Sequence, residues 1–311
     1  LGRQKRGRDI SGIFLLDKEP GVTSNQALQA VKRVFGAKKA GHTGSLDPLA
    51  TGVLPLCFGE STKVSQYLLD SDKSYRASIM LGQTTETGDS DGRVIETVSD
   101  FNITEKDIVS ALKQFEGTID QTPPMYSALK VGGTPLYRLA RKGIVVEREP
   151  RQVAVHDIKL TGCDLVSREI EIIVSCSKGT YIRSIAEDLG GTLGCGGHIT
   201  ALRRLKAGKF EESNCHTFYQ LCEILERQGL SGAEECLLPT DSAIIHFPKI
   251  KLPTEAVRWI LNGHAVNANE LPETGLLRMY DENTFIGIGF VDSDGKLAPK
   301  RLMQSVHKPM D

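Results

Sequence analysis

The chain has 311 residues, of which 40% are apolar and 25% charged, and its formal net charge is -1. These values match folded globular chains, and they argue against wholesale disorder and against a bundle of membrane helices. A near-neutral total also argues against non-specific polyanion binding over the whole surface, while permitting a basic face offset by acids elsewhere.

In chain order, RQKRGR is followed by GIFLLD (12 to 17), a buried-strand candidate. That apolar run is far shorter than the core of a signal peptide, and no run reaches transmembrane length, so the chain is expected in the cytoplasm without a membrane. Thr23 and Gln26 form a capping-box signature ahead of Leu28, Val31 and Phe35 at helical spacing, which predicts a helix. GHTGSLDPLATGVLP (41 to 55) cannot be a regular element throughout, because Gly41, Gly44, Gly52, Pro48 and Pro55 interrupt it. VLPLCF then reads as a strand and STKVSQYLL as a short helix. In KSYRASIML the alternation of Tyr75, Ala77, Ile79 and Leu81 predicts a strand with one buried face.

Thr104 caps a predicted helix carrying Ile108, Leu112 and Phe115, after which TPPMYSALKV is expected to be extended. VAVHDIKL and EIEIIV alternate as neighbouring strands. SKGTYIRSIAEDLGG enters a helix expected to stop at the glycine pair, and ITALRRLKAGKF is read as a strand. Residues 211 to 247 are acidic and mostly helical, and from Pro248 the composition changes. There TEAVRWILNG reads as a helix and LLRMYD and FIGIGFV as strands, with Asp294-Gly295 at a hairpin turn. Many strands and fewer helices, without regular alternation, predict an α+β fold around a mixed, mainly antiparallel sheet. The expected division is a domain over residues 1–247 and a small, mainly β domain over 248–311.

Seven cysteines without a C-x-x-C pair signal neither a disulfide framework nor a zinc ribbon. Cys195 with His198 and Cys215 with His216 lack paired-ligand spacing. GGTLGCGG (190 to 197) fits neither G-x-G-x-x-G nor a P-loop, and TGDSDG and VDSDG lack the terminal carboxylates of a calcium loop. All are read as turns, so no metal and no cofactor are expected. Basic clusters at 31 to 39, 137 to 143 and 202 to 209 keep a nucleic-acid ligand in play, although each alone reads as a solvated face. Asp47 alone reads as a turn initiator before Pro48, His42 as a loop hydrogen-bonder, Tyr75 as core and Arg183 as a surface charge.

Their context changes that balance. GHTGSLDPLATGVLPLCFGESTKVSQYL, KSYRASIMLGQTTETGDSDG, MYSALKVGG and CSKGTYIRSIAEDLG, in that order, resemble the bacterial TruB family of tRNA pseudouridine synthases. The resemblance runs from about Gly12 to Leu205, and the tail is similar to a small RNA-binding domain of the PUA type. One departure is DKEPGVTS, where the family places Pro directly after the Lys; here Pro20 follows Lys18 by two positions.

The resemblance implies isomerisation of uridine 55 in the T loop of tRNA, with the target base flipped out and an essential aspartate at Asp47. A carboxylate among Leu46, Pro48 and Leu49 would protonate on burial unless a cation keeps it ionised, and Arg183 is the candidate; the resemblance implies Tyr75 as the flat surface that receives the base. His42, Tyr181 and Leu202 are implied as contacts to RNA or to the flipped nucleotide. The expected partner is the T-arm stem-loop of tRNA, with no obligatory protein partner and a monomeric enzyme. Two other readings are a tRNA-binding or folding protein without turnover, and the catalytic subunit of a guide-RNA particle.

Overall fold

The computed structural model describes residues 7–268, 271–272 and 275–303, so most of RQKRGR lies outside the described residues. In chain order the elements are β1 (Gly12–Lys18), α1 (Ser24–Val34), β2 (Ala40–His42), β3 (Thr51–Phe58), α2 (Ser65–Leu69), β4 (Lys73–Leu81), β5 (Gln83–Thr85) and β6 (Val94–Thr97). Then come α3 (Glu105–Leu112), β7 (Gly117–Gln121), β8 (Lys130–Val131), β9 (Thr134–Pro135), α4 (Leu136–Ala140), β10 (Arg151–Asp164) and β11 (Glu169–Cys176). The remainder is α5 (Ile182–Thr192), β12 (Gly197–Ala207), β13 (Phe210–Glu211), α6 (Phe218–Glu235), β14 (Lys249–Leu252), α7 (Thr254–Leu261), β15 (Leu276–Asp281), β16 (Thr284–Val291) and β17 (Leu297–Leu302).

The main sheet runs β1-β3-β12-β4-β11-β10-β7, with β2 paired to β3 and β13 to β12. Every pairing in it is antiparallel except β3 with β12. A second sheet, β14-β15-β16-β17, is parallel only at β14 with β15. The fold is therefore α+β with two mixed sheets, as the element pattern predicts. One face of the main sheet is covered by α1, α3, α5 and α6, whose apolar residues join Phe14, Leu54, Ala77, Ile79, Ile172 and Val174 in the principal core.

Helices α1 and α3 begin where their capping residues predict. Thr23 and Gln26 bond each other's backbone N–H at the start of α1, and Thr104 with Asp107 does the same at α3. Four expectations change. STKVSQYLL is a 3-10 turn (Gly59–Lys63) followed by the single-turn α2. TPPMYSALKV is mostly irregular, with only Lys130–Val131 in a strand, because Pro123 and Pro124 remove ladder donors. ITALRRLKAGKF turns back at Gly208 into the short strand β13.

Fourth, α5 does not stop at the glycine pair but runs through it to Thr192. A Cβ on Gly190 would sit 2.2 Å from the backbone of Gly196 and Gly197. Gly190 is thus a contact residue that lets helix and strand backbones meet, and the chain turns only at Gly194, with φ at 72°.

The second sheet is not a loose appendage. Ile288 and Met303 share an apolar cluster with Ile13, Leu15, Val53 and Cys57 from the outer face of β1 and β3. At the rim, Arg278 pairs with Asp241 at 3.1 Å, and the Tyr280 hydroxyl donates to the same carboxylate. The Lys63 ammonium donates to the Leu302 carbonyl at 2.7 Å.

Candidate active site

The loop around Asp47 hangs between β2 and β3 and is fixed from four directions. The Ser24 hydroxyl donates to the Leu46 carbonyl at 3.0 Å and accepts from the Leu46 N–H at 2.7 Å. Lys18, 1% exposed, donates to the carbonyls of Glu19 (2.9 Å), Pro48 (3.2 Å) and Ala50 (2.7 Å). The Gly21 N–H adds a bond to Pro48. Arg204, also 1% exposed, donates to Val53 (2.6 Å) and Gly44 (3.3 Å). These bonds hold Asp47 on a rigid frame in a loop that would otherwise be free to move. They also give Lys18 a role despite the displaced Pro20: it ties the loop just after Asp47, at Pro48 and Ala50, to the end of β1. Burial lowers its pKa to about 8, with the Asp47 charge opposing.

Asp47 faces a cavity of about 310 Å³, at the lower end of the size range of ligand pockets. Tyr75, Tyr181, Arg183, Leu202 and Arg204 line it as well. Arg183, with 5% of its side chain exposed, places Nε 3.0 Å from the Asp47 carboxylate. Its other nitrogens donate to the carbonyls of Thr87 and Tyr126, each at 2.7 Å, and Nη1 lies 3.6 Å from Asp89. One guanidinium therefore serves two carboxylates and two loops. The surface-charge reading of Arg183 fails because α5 aims its first turn inward, where Ile182, Arg183, Ser184 and Ile185 are all buried.

Tyr75 lies in the middle of the sheet on β4, directly opposite Arg204 on β12 and Val174 on β11. Burial raises the pKa of its phenol and the Arg204 charge pulls it back, so the phenol stays in its neutral form. Tyr181 caps α5 and Leu202, 7% exposed, comes from β12. His42 is placed differently: it sits on β2 opposite Leu56 and does not itself line the cavity, although it lies within the field of Arg204, which does. Its Nδ1 is buried without a hydrogen bond, and burial and the Arg204 charge lower its pKa, so the imidazole is neutral at pH 7.

Asp89 and Arg204 are the residues that sequence reasoning missed. TGDSDG is a turn, as expected, but Ser90 N–H bonds the Ile199 carbonyl at the start of β12, and this docking delivers Asp89 to Arg183. An aspartate in a glycine-rich turn carries no signal of such a contact. Arg204 belongs to a cluster read as basic surface, yet it is buried on carbonyl oxygens. Its neighbour Arg203 pairs with Asp17 (2.8 Å) and Glu212 (2.7 Å), and Lys206 with Glu211. Most of that cluster's charge is spent inside the protein. Exposed cations remain at Arg33, Lys38 and Lys39 and at Arg138, Arg141 and Lys142.

Among the described residues, no three His, Cys, Asp or Glu side chains are grouped to hold a metal ion, and no helix is long and apolar enough to cross a membrane. His198 instead meets the Gln83 carbonyl at 3.1 Å, and His216 stacks on Phe14.

Burial raises the Asp47 pKa, Arg183 opposes it, and Asp89 adds to the rise as a like charge. The sign follows: the carboxylate is the form lost on acidification, and it is lost at a higher pH than for a free aspartate near 3.9. The acid limb of any Asp47-dependent rate is therefore expected above that value. Asp89→Asn removes a like charge and releases Arg183 to Asp47, so it should move the limb to lower pH in a single-turnover pH profile. A limb that stays in place or rises would contradict this electrostatic account.

Known proteins match this chain along nearly its whole length. The family model for the N-terminal domain of TruB family pseudouridylate synthases matches residues 32–182. Models for a tRNA pseudouridylate synthase B C-terminal domain and for the C-terminal part of pseudouridine synthase II TruB match 183–245 and 248–303. A protein named tRNA pseudouridine synthase B from Chromohalobacter salexigens is 48% identical over 307 residues, 98% of each chain. Its namesake from Pseudomonas putida is 50% identical over 299 residues, 96% of this chain and 97% of the relative. Among solved structures, one described as the crystal structure of a Cbf5-Nop10-Gar1 complex superposes with a TM-score of 0.72 at 26% identity, covering 94% of this chain and 84% of that one. With about half of its residues identical to those relatives from end to end, this chain belongs to the TruB family of pseudouridine synthases and is an isomerase.

Proposed function

We propose that the chain converts uridine 55 in the T loop of tRNA to pseudouridine, with the target nucleotide flipped into the cavity beside Asp47. The observation that carries this reading is the Asp47–Arg183 pair at 3.0 Å in an open-mouthed cavity lined from β4, β12 and the start of α5. In the reaction the N1–C1′ bond breaks, the base turns, a C5–C1′ bond forms, the C5 proton leaves to solvent and N1 takes up a proton in exchange. Asp47 supplies the carboxylate for glycosidic cleavage and Arg183 aims it. Tyr75 offers a flat, neutral face to the extruded base, which has given up its stacking in the RNA. Tyr181 and Leu202 complete the walls, and His42 fills the space the base leaves.

The substrate assignment is supported by the names of the half-identical relatives, which are tRNA pseudouridine synthases. The likeness to a chain from a multiprotein Cbf5 complex is weaker, at 26% identity, so a stand-alone enzyme is the favoured reading. Purified protein, mixed with an unmodified T-arm hairpin tritiated at uridine C5, should release the label without another macromolecule. Release that appears only when a guide RNA or a partner protein is added would overturn it, while an inert hairpin beside a reactive whole tRNA would show that recognition extends beyond the T arm.

The same assay tests how the RNA is read. Swapping stem base pairs should change the rate little, because the exposed cations at 33 to 39 and 138 to 142 meet phosphates and not base edges. Affinity should fall with salt, each phosphate contact adding roughly -0.7 to -0.9 to the log-log slope. A stem-sequence preference or a flat salt response would contradict this mode of binding.

A further inference from the structure

Gln121, at the end of β7, is only 2% exposed and has neither a catalytic neighbour in sequence nor a place in the cavity wall. Both polar atoms of its side-chain amide are nonetheless bonded to one residue. Oε1 accepts from the Tyr181 N–H at 2.7 Å, and Nε2 donates to the Tyr181 carbonyl at 2.9 Å. This is the two-bond exchange of a strand pair, made by a side chain to a single peptide segment.

Tyr181 is the residue at which α5 begins. No side chain of its own caps the helix, and its carbonyl already accepts from the Ile185 N–H at 3.2 Å. The first N–H groups of a helix lack intrahelical partners, so what holds them sets where the helix starts. Arg183 stands two residues further on. The chain that follows Gln121 touches the same guanidinium again, through the Tyr126 carbonyl. The start of α5 is thus tied to the end of β7 at its backbone and to the following loop at its arginine.

We infer that Gln121 is a positioning residue for isomerisation: by clamping both backbone groups of Tyr181 it sets the register of the first turn of α5 and so the aim of Arg183 at Asp47. Arg183 must satisfy Asp47, Asp89 and two carbonyls from one location, so it has little freedom to follow a shifted helix start. Misplacement of a catalytic constellation by about 1 Å can cost on the order of 100-fold in rate. The inference rests on the proposed role of Asp47 and Arg183.

The test is Gln121→Met, which keeps chain length and removes both amide groups, beside Gln121→Glu, which keeps only the acceptor for the Tyr181 N–H. Single-turnover label release from the T-arm hairpin should fall by about 30-fold in the Met variant and by less in the Glu variant. Hairpin Kd should stay within about 3-fold in both. The acid limb should move to higher pH, because a guanidinium withdrawn from Asp47 no longer opposes its burial. A purely structural role would lower the melting temperature and leave both the rate of the folded protein and the acid limb where they were; that result overturns the inference. Should the Met variant not fold, the Glu variant decides alone, and a parental rate with an unmoved limb overturns it. Label release that survives Asp47→Asn in the parent would instead overturn the proposed function itself. An unaffected Gln121 variant with Asp47 dependence intact would overturn only the clamp.

Discussion

Asp47→Asn is expected to remove label release from the T-arm hairpin by about 10⁴-fold or more, the scale seen when the central group of a catalytic set is lost. The fold should tolerate it. The side chain keeps its size, Ser24, Lys18 and Arg204 hold the loop through its backbone, and none of them needs the Asp47 charge to do so. Hairpin affinity should change little, since the amide removes a negative charge from a site that receives a polyanion. Neutralising Asp47 also ends the cost of ionising it. Because its folded pKa is raised, that cost is absent at low pH and complete above the folded pKa, so the variant should match the parent in acid and gain stability on it toward neutral pH. Retained turnover, or a collapse in binding equal to the loss in rate, would refute the assignment.

Arg183→Met should be the second most damaging change, and unlike the first it should harm the fold. It leaves Asp89, with 7% of its side chain exposed, beside Asp47 and without the cation between them. Removing one partner of a buried ion pair typically costs about 3 kcal/mol or more, which urea unfolding would read directly. The rate should fall by about 10² to 10³ even in the folded fraction, as for loss of an aligned charged donor. Arg183→Lys is not a rescue. An ammonium can follow one carboxylate but cannot reach Asp47, Asp89 and two carbonyls at once. A Lys variant with parental activity would show that charge alone is required and that the fork geometry is incidental.

What could be read in the sequence was local. Caps at Thr23 and Thr104, the alternation in KSYRASIML and the breakers around Asp47 act over a few residues, and the structure returns them nearly unchanged. Asp47, Arg183, Tyr75, Tyr181 and Leu202 reach one cavity from four separate elements. Composition and spacing alone read Asp47, Arg183 and Tyr75 as turn, surface and core, and only resemblance to a family grouped them with Tyr181 and Leu202. What stayed hidden depends on contacts distant in sequence. Asp89 and Gln121 meet their partners across 94 and 60 residues. Gly190 reads as a helix stop until the helix is seen resting on Gly196 and Gly197. Arg204 reads as surface charge because burying a guanidinium on carbonyl oxygens, without a carboxylate, is an arrangement that pattern rules assign no weight.

The shared apolar cluster beneath the second sheet alters the meaning of the composition change at Pro248. Cooperativity follows contacts and not chain order, and a seam is a thermodynamic boundary only where few contacts cross it. Here Ile288 and Met303 cover Ile13, Leu15 and Val53, while Arg278 is locked to Asp241 and Lys63 to Leu302. Releasing the second sheet would bring water onto the back of β1, the strand that carries Lys18 and through it the Asp47 loop. The second sheet thus acts as a keel for the catalytic sheet: a chain cut after Phe247 would lose the outer support of β1, and the two parts should melt as one unit.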